Sequence, residues 1–518
     1  MSELVWSRFH PVTPAVKGWK VLVVVLAIAV QQGAENVTAA RDAVDAVGWW
    51  PVVGAIAGVV LVGFLYSLVA WRMARFAVGP DAVHLQQGVL FRQQRTARLD
   101  RIQAIDVVQP LLARLLGLAE LKIEVAGGSD SAVKLSFLRE ADAQVLRNEL
   151  LARAAGVEFG TPEVPHAPVA PEREVLAVEA SRILVSTLLS SAAIVGLLGI
   201  VGVAVAIAVT GEPSIAITLL PFLLGTAGYA VQRFNSEFGF RAAVSPDGIR
   251  LRHGFTSARA QTVPPGRVQA VRITQPLLWR SRGWWRVQVN VAGYGVSDAQ
   301  TESVLLPVGD RDEALLALWL VLPDLGAEDP VALLDDALTG TGPGRFVTSP
   351  QPARWLDPLS WRRNGYALTG RGLVLRSGRF VRQVDVVPHE RTQSLGLTQG
   401  PVQRRLGLAS VALHSTPGPV SPTVPHLAAD VAAHLLATQA ERAREARASA
   451  GPERWMEHMH ARGVAPAAPA VSVASGPPTP PSTPPLVASA PPPPAPPAAS
   501  PAPPPPPAVS PPSEVGRS

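Results

Sequence analysis

The sequence contains no cysteine, and lysine occurs only four times among its 518 residues. Without cysteine, the chain has no disulfide bond, no thiolate metal site and no cysteine nucleophile. Charged residues are also scarce, at 17% of the chain against 47% for hydrophobic residues. This balance is more apolar than that of an ordinary soluble protein and favours a chain with membrane segments.

The chain also lacks the short motifs by which common enzyme classes are recognised. It has no G-x-x-x-x-G-K-[ST] phosphate loop, no H-E-x-x-H zinc motif and no G-x-S-x-G nucleophile turn. The glycine-rich run at residues 340–344 carries no phosphate-binding lysine, so a flexible linker is the better interpretation. We expect a protein without enzymatic activity, cofactor or metal.

Four apolar stretches approach the roughly 20 helical residues that a bilayer core requires. They are residues 16–36, 50–70, 183–209 and 215–231. The first is interrupted by Gln31, Gln32 and Glu35, and residues 37–40 resemble a signal-peptide cleavage site. The equivalent stretch from Ile183 argues against cleavage and favours a membrane helix.

The loops that flank these stretches carry an asymmetric charge. Basic residues lie outside each helix pair, at Arg8, Lys17, Lys20, Arg72, Arg75, Arg182, Arg233 and Arg241. The loop inside the first pair contains Glu35, Arg41, Asp42 and Asp45. By the positive-inside rule, the sequence predicts a multi-pass protein of the cell membrane with both termini in the cytoplasm.

One segment occurs three times. RIQAIDVVQPLLARLLGL from Arg101 recurs as RVQAVRITQPLLWRSRGW from Arg267 and as RTQSLGLTQGPVQRRLGL from Arg391, at offsets of 166 and then 124 residues. The invariant positions include Arg101, Arg267, Arg391, Gln103, Gln269, Gln393, Gln109, Gln275, Gln399, Arg114, Arg280, Arg404, Gly117, Gly283 and Gly407. The offset of 166 also places the first helix pair on the second, whereas the third copy has no pair.

Within each copy, apolar residues alternate with a period of two, which is typical of strands with one buried face. A glycine at 88, 254 and 378 separates two such runs and predicts a hairpin turn. Helical stretches at 138–154, 310–322 and 427–448 follow. Each copy should therefore form a small β-sandwich or barrel capped by one helix.

These patterns divide the chain into membrane segments, repeated domains and a tail. The predicted parts are helix pair 1 (1–75), domain 1 (76–156), helix pair 2 (182–235), domain 2 (236–325), a linker (326–350), domain 3 without a helix pair (351–450) and a proline-rich disordered tail (463–518).

The motif R-x-Q-x-φ-x-φ-x-Q-P, the following R-x-x-G-[LW] and the flanking helix pair resemble the membrane-flanked bacterial pleckstrin-homology (PH) domain family. The resemblance covers residues 16–448, and the third copy departs from it where Gly400 replaces Pro110 and Pro276. It implies α-helical membrane segments plus repeated PH-like sandwiches of seven strands with a C-terminal helix. It implies little about activity, because this fold serves many binding roles.

Arginines recur around the predicted hairpin of each domain and are candidates for contact with lipids or a partner. They are Arg92, Arg95, Arg98, Arg250, Arg252, Arg259, Arg376, Arg379 and Arg382. Guanidinium groups suit lipid phosphate through bidentate geometry, but a solvated polar face explains the same pattern.

The invariant arginines and glutamines of the repeated motif favour a structural interpretation. An arginine there can tie a strand end to a loop, and a glutamine can satisfy backbone groups at strand ends. The pairs His389 with Glu390 and His458 with His460 do not recur in the other copies, so they do not indicate a catalytic or metal site.

The sequence as a whole favours a membrane-anchored binding or scaffold protein whose partners are membrane lipids or other membrane proteins, not nucleic acid. The alternative is a component of a transport or export system. Against it, the stretches 50–70 and 215–231 contain no charged residue, whereas transport pathways usually need some. The ligand and the oligomeric state stay open.

Overall fold

A computed structural model describes residues 6–13, 50–79, 81–89, 91–125, 132–154, 172–212, 214–246, 248–292, 303–449 and 455–464. The predicted membrane stretch at 16–36 and all but the first two residues of the predicted tail lie outside these ranges. The described residues all belong to one compact unit.

The first repeat consists of two antiparallel sheets and a closing helix. Its first sheet contains β1 (Trp6–Arg8), β2 (Arg75–Val78), β3 (Ala82–Gln87) and β4 (Gln93–Arg98), with helix α1 (Trp50–Met73) between β1 and β2. Its second sheet contains β5 (Ile102–Pro110), β6 (Leu118–Val125) and β7 (Val133–Arg139), with α2 (Leu111–Leu115) after β5 and α3 (Glu140–Ala154) at the end.

The second repeat has the same order of elements. It contains β8 (Arg173–Ala177), α4 (Ala180–Leu188), α5 (Ser191–Thr210), α6 (Ser214–Glu237), β9 (Arg241–Ser245), β10 (Gly248–His253), β11 (Ser257–Val263), β12 (Val268–Gln275), β13 (Trp285–Val291), β14 (Val304–Gly309) and α7 (Arg311–Val321). A capping box starts α7, in which Asp310 accepts from the Glu313 N–H at 2.9 Å and the Glu313 side chain accepts from the Asp310 N–H at 2.7 Å.

The third repeat begins within the predicted linker at 326–350, which contains a helix and a strand. Its elements are α8 (Pro330–Leu338), β15 (Val347–Thr348), β16 (Gly365–Leu368), β17 (Gly372–Ser377), β18 (Arg382–Pro388), β19 (Ser394–Thr398), α9 (Pro401–Arg405), β20 (Leu408–His414), β21 (Thr423–Ala428) and α10 (Ala429–Ala448), followed by α11 (Trp455–Ala461). Residues 349–364 connect β15 to β16, at the place where the first two repeats have their helices.

Neighbouring repeats share sheets, which the sequence does not reveal. Strand β5 of the first repeat pairs with β11 of the second, and β12 of the second pairs with β18 of the third. Each junction joins a three-stranded sheet to a four-stranded one and gives a seven-stranded sheet. The three domains are therefore connected through backbone hydrogen bonds as well as through the chain.

The predicted span at 183–209 is wrong at its start. Helix α4 ends at Leu188, and Ser190 caps α5 by accepting a hydrogen bond from the Ala193 N–H at 3.3 Å. Residues Ile183 and Ser186 of α4 are buried against domain 2 instead of facing lipid. The buried residues of α4 therefore pack on domain 2, whereas its Leu184 and Leu188 are exposed.

One helix in the described part of the chain, α5, is long and apolar enough to cross a membrane, with a mean hydropathy of 2.8. Residues 57–73 of α1 form a shorter apolar stretch, and α6 contains Pro221. In these residues, helix length and composition thus support one of the three spans that the sequence predicts there, and the fourth, at 16–36, lies outside the described residues.

The hairpin glycines behave as predicted. Gly88, Gly254 and Gly378 have φ values of 108°, 111° and 77°, and a Cβ atom on each would lie 2.0–2.1 Å from a backbone oxygen across the turn. Only glycine fits such a position without strain.

Replacing Gly254 by valine should lower the stability of domain 2 by about 1–3 kcal/mol, because the side chain meets both an unfavourable φ and the Ser257 carbonyl. Protease resistance of the detergent-solubilised chain against temperature measures the loss. The matched control is Gly202→Val in α5, where no atom lies within 4 Å of a Cβ. Equal losses in both variants would reject the turn explanation.

Candidate membrane-facing surface

The tip of the β10–β11 hairpin lies at the carboxyl end of helix α6. The Gly254 N–H donates to the Phe238 carbonyl at 2.8 Å, and the Phe255 N–H donates to the Asn235 carbonyl at 2.9 Å. The rings of Phe238 and Phe255 are 5.0 Å apart and meet edge to face. The hairpin tip of the second repeat therefore lies where its helix pair ends.

A phenylalanine is exposed at the corresponding tip in every repeat. The exposed fractions are 84% for Phe91, 51% for Phe255 and 58% for Phe380. Sequence reasoning missed these side chains because it followed only charge around the hairpin. A signal was present, since each phenylalanine follows the invariant glycine by one to three residues.

A second exposed apolar segment follows the first strand of the second sheet in each repeat. Its exposed side chains are Leu111, Leu112, Leu115, Leu277, Leu278 and Val402. Pairing brings this segment to the neighbouring tip, since Pro110 pairs with Ser257 and Gln275 pairs with Arg382. In the second repeat, the Trp279 Nε1–H donates to the Ser186 carbonyl of α4 at 3.1 Å.

At the two junctions between repeats, these two features are neighbours. We name the whole set of exposed side chains the tip surface and define it by Phe91, Phe255, Phe380, Leu111, Leu112, Leu115, Leu277, Leu278 and Val402. Isolated apolar side chains on a surface need no explanation, but recurrence at equivalent places in three repeats does.

The predicted hairpin arginines separate into different environments. Arg376 is 2% exposed, and its guanidinium donates to the carbonyls of Arg363 (3.2 Å), Asp336 (2.9 Å) and Gly342 and lies 4.2 Å from the Phe346 ring centroid. It cannot reach a headgroup, so its assignment as a contact residue is wrong. Helix α8 covers the face of β17 on which Arg376 lies.

Other arginines of the set are engaged in ion pairs or local hydrogen bonds. Arg250 and Arg252 both bind Glu172, the latter at 2.9 Å. Arg98 binds Asp100 at 3.1 Å, and the Arg95 side chain donates to the Ala132 carbonyl at 3.1 Å. Arg259 is half-buried, whereas Arg92 is exposed beside Phe91 at the first tip.

Three arginines cluster at the third tip. Arg280 donates to the carbonyls of Arg379 and, at 3.2 Å, Phe380, while Arg382 donates to the Gln275 side chain at 3.1 Å. Burial and then the charges of Arg382 and Arg379 lower the pKa of Arg280, and burial and then Arg379 lower the pKa of Arg382. Since neighbouring arginines add to the effect of burial, an anion at this tip would stabilise the charged forms of Arg280 and Arg382.

The invariant motif residues lie near domain junctions and turns. Arg101, Arg267 and Arg391 each end a 3-10 turn; Arg267 donates to the Ile102 carbonyl at 3.5 Å, and Arg391 is 3.9 Å from Glu390. Gly117, Gly283 and Gly407 have φ values of 65°, 65° and 66°, in the left-handed region that favours glycine.

The invariant glutamines differ between repeats. Gln269 donates to the Arg267 carbonyl at 3.2 Å, and Gln399 donates to the Leu408 carbonyl at 2.9 Å, which agrees with a structural role. Gln109 is half-buried, and Gln393 is exposed. The side chain of Gln103 lies outside the described residues.

Of the histidines that the sequence singles out, His389 has two polar partners in the structure. His389 is buried, with its ring nitrogens 3.0 Å from the Gln439 side chain and 3.0 Å from the Thr369 carbonyl, and burial lowers its pKa. His389 lines a cleft of about 1330 Å³ between domains 2 and 3. Three arginines of this cleft, Arg371, Arg442 and Arg447, bind Asp324 or backbone carbonyls. Among the described residues, no group of three histidine, aspartate or glutamate side chains is close enough to bind a metal ion.

Comparison with known proteins supports the division into repeats. The sequence profile of a family described as bacterial PH domain matches residues 22–154, 185–320 and 332–443. The first two matches include most of each predicted helix pair, and the third covers the copy without one. A search of curated proteins found none that matches the chain.

Proposed function

Because the chain belongs to the bacterial PH domain family, we propose that it is a non-enzymatic membrane protein whose three PH-like domains bind or scaffold at the inner leaflet. The observation that carries this proposal is the tip surface, where exposed apolar side chains and arginines recur at the hairpin tips and, in the second repeat, lie beside the end of the helix pair. Aromatic rings and arginines suit the boundary between acyl chains and headgroups.

The connection of the helices to the sheets supports membrane crossing in pairs. Strands β8 and β9 flank α4, α5 and α6, and Ala177 of β8 pairs with Arg241 of β9. A chain that leaves and returns to the same sheet crosses a bilayer an even number of times. Helix α5 has 20 residues, enough for about 30 Å, so its crossing requires α6 to return.

The same argument applies to the first repeat. The Trp71 Nε1–H at the end of α1 donates to the Phe9 carbonyl at 3.0 Å, and β1 pairs with β2. The segment between residues 9 and 71 thus begins and ends at one place. Two crossings by 16–36 and α1 satisfy this condition, and the proposal therefore keeps four spans with both termini in the cytoplasm.

Close packing of α5 on α6 supports a helix hairpin. A Cβ atom on Gly196 would lie 3.0 Å from the Thr226 hydroxyl, and one on Gly199 would lie 3.0 Å from the Phe222 ring. Small residues at such contacts are typical of helix pairs in membranes. Between residues 191 and 231 the sequence has one charged residue, Glu212 in the turn, which favours an anchor over a transport pathway.

The third domain has its own apolar loop where the helix pair is missing. In residues 349–364, Trp355 is 72% exposed and Leu359 is 57% exposed, and the Arg354 guanidinium lies 5.3 Å from the Trp355 ring centroid. A tryptophan and an arginine in this position suit a membrane interface. We therefore include this loop with Phe380 in the contact of domain 3.

The test uses the absence of cysteine, which makes single labelling sites possible. An environment-sensitive fluorophore is attached to Phe91→Cys, Phe255→Cys, Phe380→Cys or Trp355→Cys in full-length chain reconstituted into vesicles with anionic lipid. We expect a blue-shifted emission at all four sites and quenching by brominated lipid, because the probes enter the acyl region.

The control site is Ser449→Cys, an exposed residue at the cleft that lies by Gly370 and Gly372, the end of β17 opposite the tip. Its probe should report water. Aqueous spectra at all tip sites would reject membrane contact and leave a protein partner as the ligand of this surface. The same spectra in vesicles of neutral lipid distinguish two contributions to the contact. Attraction of the arginines to headgroup charge is lost in neutral lipid, whereas insertion of the apolar side chains remains.

A further inference from the structure

The two junctions between repeats are the same contact. At the first, Val107 of β5 pairs with Ala260 of β11. Moving each residue to the next copy, by 166 for Val107 and by 124 for Ala260, gives Ile273 and Val384, which pair at the second junction. The contact is antiparallel with an identical register in both places, although the paired side chains differ.

The two ends of the array present the halves of a third such contact. Within the described residues, β4 pairs with β3 alone and β19 pairs with β20 alone, so each is the edge of its sheet. Strand β4 is the copy of β11 and β18, and β19 is the copy of β5 and β12. At each internal junction, a copy of β19 pairs with a copy of β4. The first domain thus has a free β4 edge, and the third domain has a free β19 edge.

The side chains on these two edge strands are more exposed than their counterparts at the internal junctions. Leu397 of β19 is 45% exposed, whereas its counterparts Ile273 and Val107 are 0% and 3% exposed. On β4, Gln94 and Thr96 are exposed, whereas their third-repeat counterparts Val384 and Val386 are fully buried. The side chains that a neighbouring repeat covers at the internal junctions are uncovered at the ends.

Strand β19 also lacks the features that usually protect an edge. Its residues, Ser-Leu-Gly-Leu-Thr, include no charge and no proline, and natural edges are commonly blocked by these residue types. An unprotected edge with an exposed leucine is suited to receive another strand.

We propose that β19 of one chain pairs with β4 of a second copy, antiparallel and in the register of the internal junctions. Leu397 then lies opposite Gln94, and Leu395 lies opposite Thr96. The contact joins different surfaces of the two copies, so it repeats head to tail and gives a closed ring or an open row. Because this contact has the register of the internal junctions, domain 3 of one copy and domain 1 of the next are arranged like neighbouring domains within one chain. The inference does not depend on lipid binding.

Disulfide crosslinking between two single-cysteine chains tests this pairing, since the native chain has no cysteine. Chains carrying Gln94→Cys and chains carrying Leu397→Cys are co-expressed with different tags and oxidised in intact membranes. Directly opposite residues have Cβ atoms about 4.5–5.5 Å apart, which is near the range for a disulfide. We expect a dimer band that contains both tags, and the same for Thr96→Cys with Leu395→Cys.

Two controls make the result specific. Leu397→Cys with Thr96→Cys is out of register by two residues and should crosslink at least several-fold less. Val107→Cys with Ala260→Cys in one chain reports an internal junction and should oxidise within the chain. No mixed dimer for either registered pair, while the internal pair oxidises, would overturn the proposal. So would equal crosslinking of the mismatched pair, or crosslinking of Leu397→Cys to a different protein in its place.

Discussion

Replacing Asp385 by alanine should lower the free energy of unfolding by about 3–5 kcal/mol, because it removes one partner of a buried ion pair at a domain junction. Asp385 lies in β18 and is 1% exposed. It accepts from the Arg272 Nε–H at 2.7 Å and from Nη2–H at 2.8 Å, across the strand pair that joins domains 2 and 3. The variant leaves the half-buried Arg272 charge with only the carbonyls of Pro419 and Ser421 as partners.

The measurement is urea unfolding of the detergent-solubilised chain, followed by proteolysis at each urea concentration. The matched control is Arg241→Ala, which removes the exposed ion pair with Glu174 and should change the stability by less than about 1 kcal/mol. The double variant Arg272→Met with Asp385→Leu should recover most of the loss, since no unpaired charge remains. A small loss in Asp385→Ala would show that this ion pair contributes little to stability.

The repeat pattern predicted the domains, because each copy carries its own alternation and its own glycine turn. Gly254 illustrates this success, since the need for positive φ is a local property of the hairpin. Arg376 illustrates the opposite case. Its strand, β17, is covered on both faces, with α8 on the side where the alternation predicts solvent, and no local pattern records that cover.

The sharing of sheets between repeats could not be predicted for a related reason. Pairing of β12 with β18 joins residues more than 100 positions apart, and hydrophobic periodicity describes only one strand at a time. The apolar side chain at Ile273 does not indicate the shared sheet. An apolar residue is expected both inside a single sandwich and at a strand that two domains share. Helix α4 was joined to α5 in the prediction for a similar reason, because packing on domain 2 and contact with lipid both select apolar side chains.

The sheets shared between repeats bear on the proposed contact of the tips with a membrane. Each junction fixes one domain relative to the next through backbone hydrogen bonds, so the tips of neighbouring domains are held at fixed spacing. Weak contacts of single tips then add, because a juxtamembrane arginine contributes only about 1 kcal/mol near an anionic surface. In the proposed function, three tips held in this way bind a leaflet more firmly than three independent domains, because their weak contacts add.

Replacing Trp279 by alanine should cost about 3–5 kcal/mol and release helix α4 from domain 2, because this side chain connects the two. Trp279 is 1% exposed, donates its Nε1–H to the Ser186 carbonyl at 3.1 Å, and lies with its ring 5.3 Å from the Arg233 guanidinium of α6. Loss of the indole removes packing against both helices at once.

The same urea titration with proteolysis measures the loss for Trp279→Ala, and early cleavage near α4 would report its release. Trp279→Phe keeps most of the packing but loses the hydrogen bond, and it should cost about 1 kcal/mol for that bond and somewhat more for the smaller ring. Trp355→Ala is the control, since that side chain is exposed and should change stability by less than about 0.5 kcal/mol in detergent. If Trp279→Ala resembled this control, the attachment of the helix pair to domain 2 would depend on the strand pairing of β8 with β9 instead.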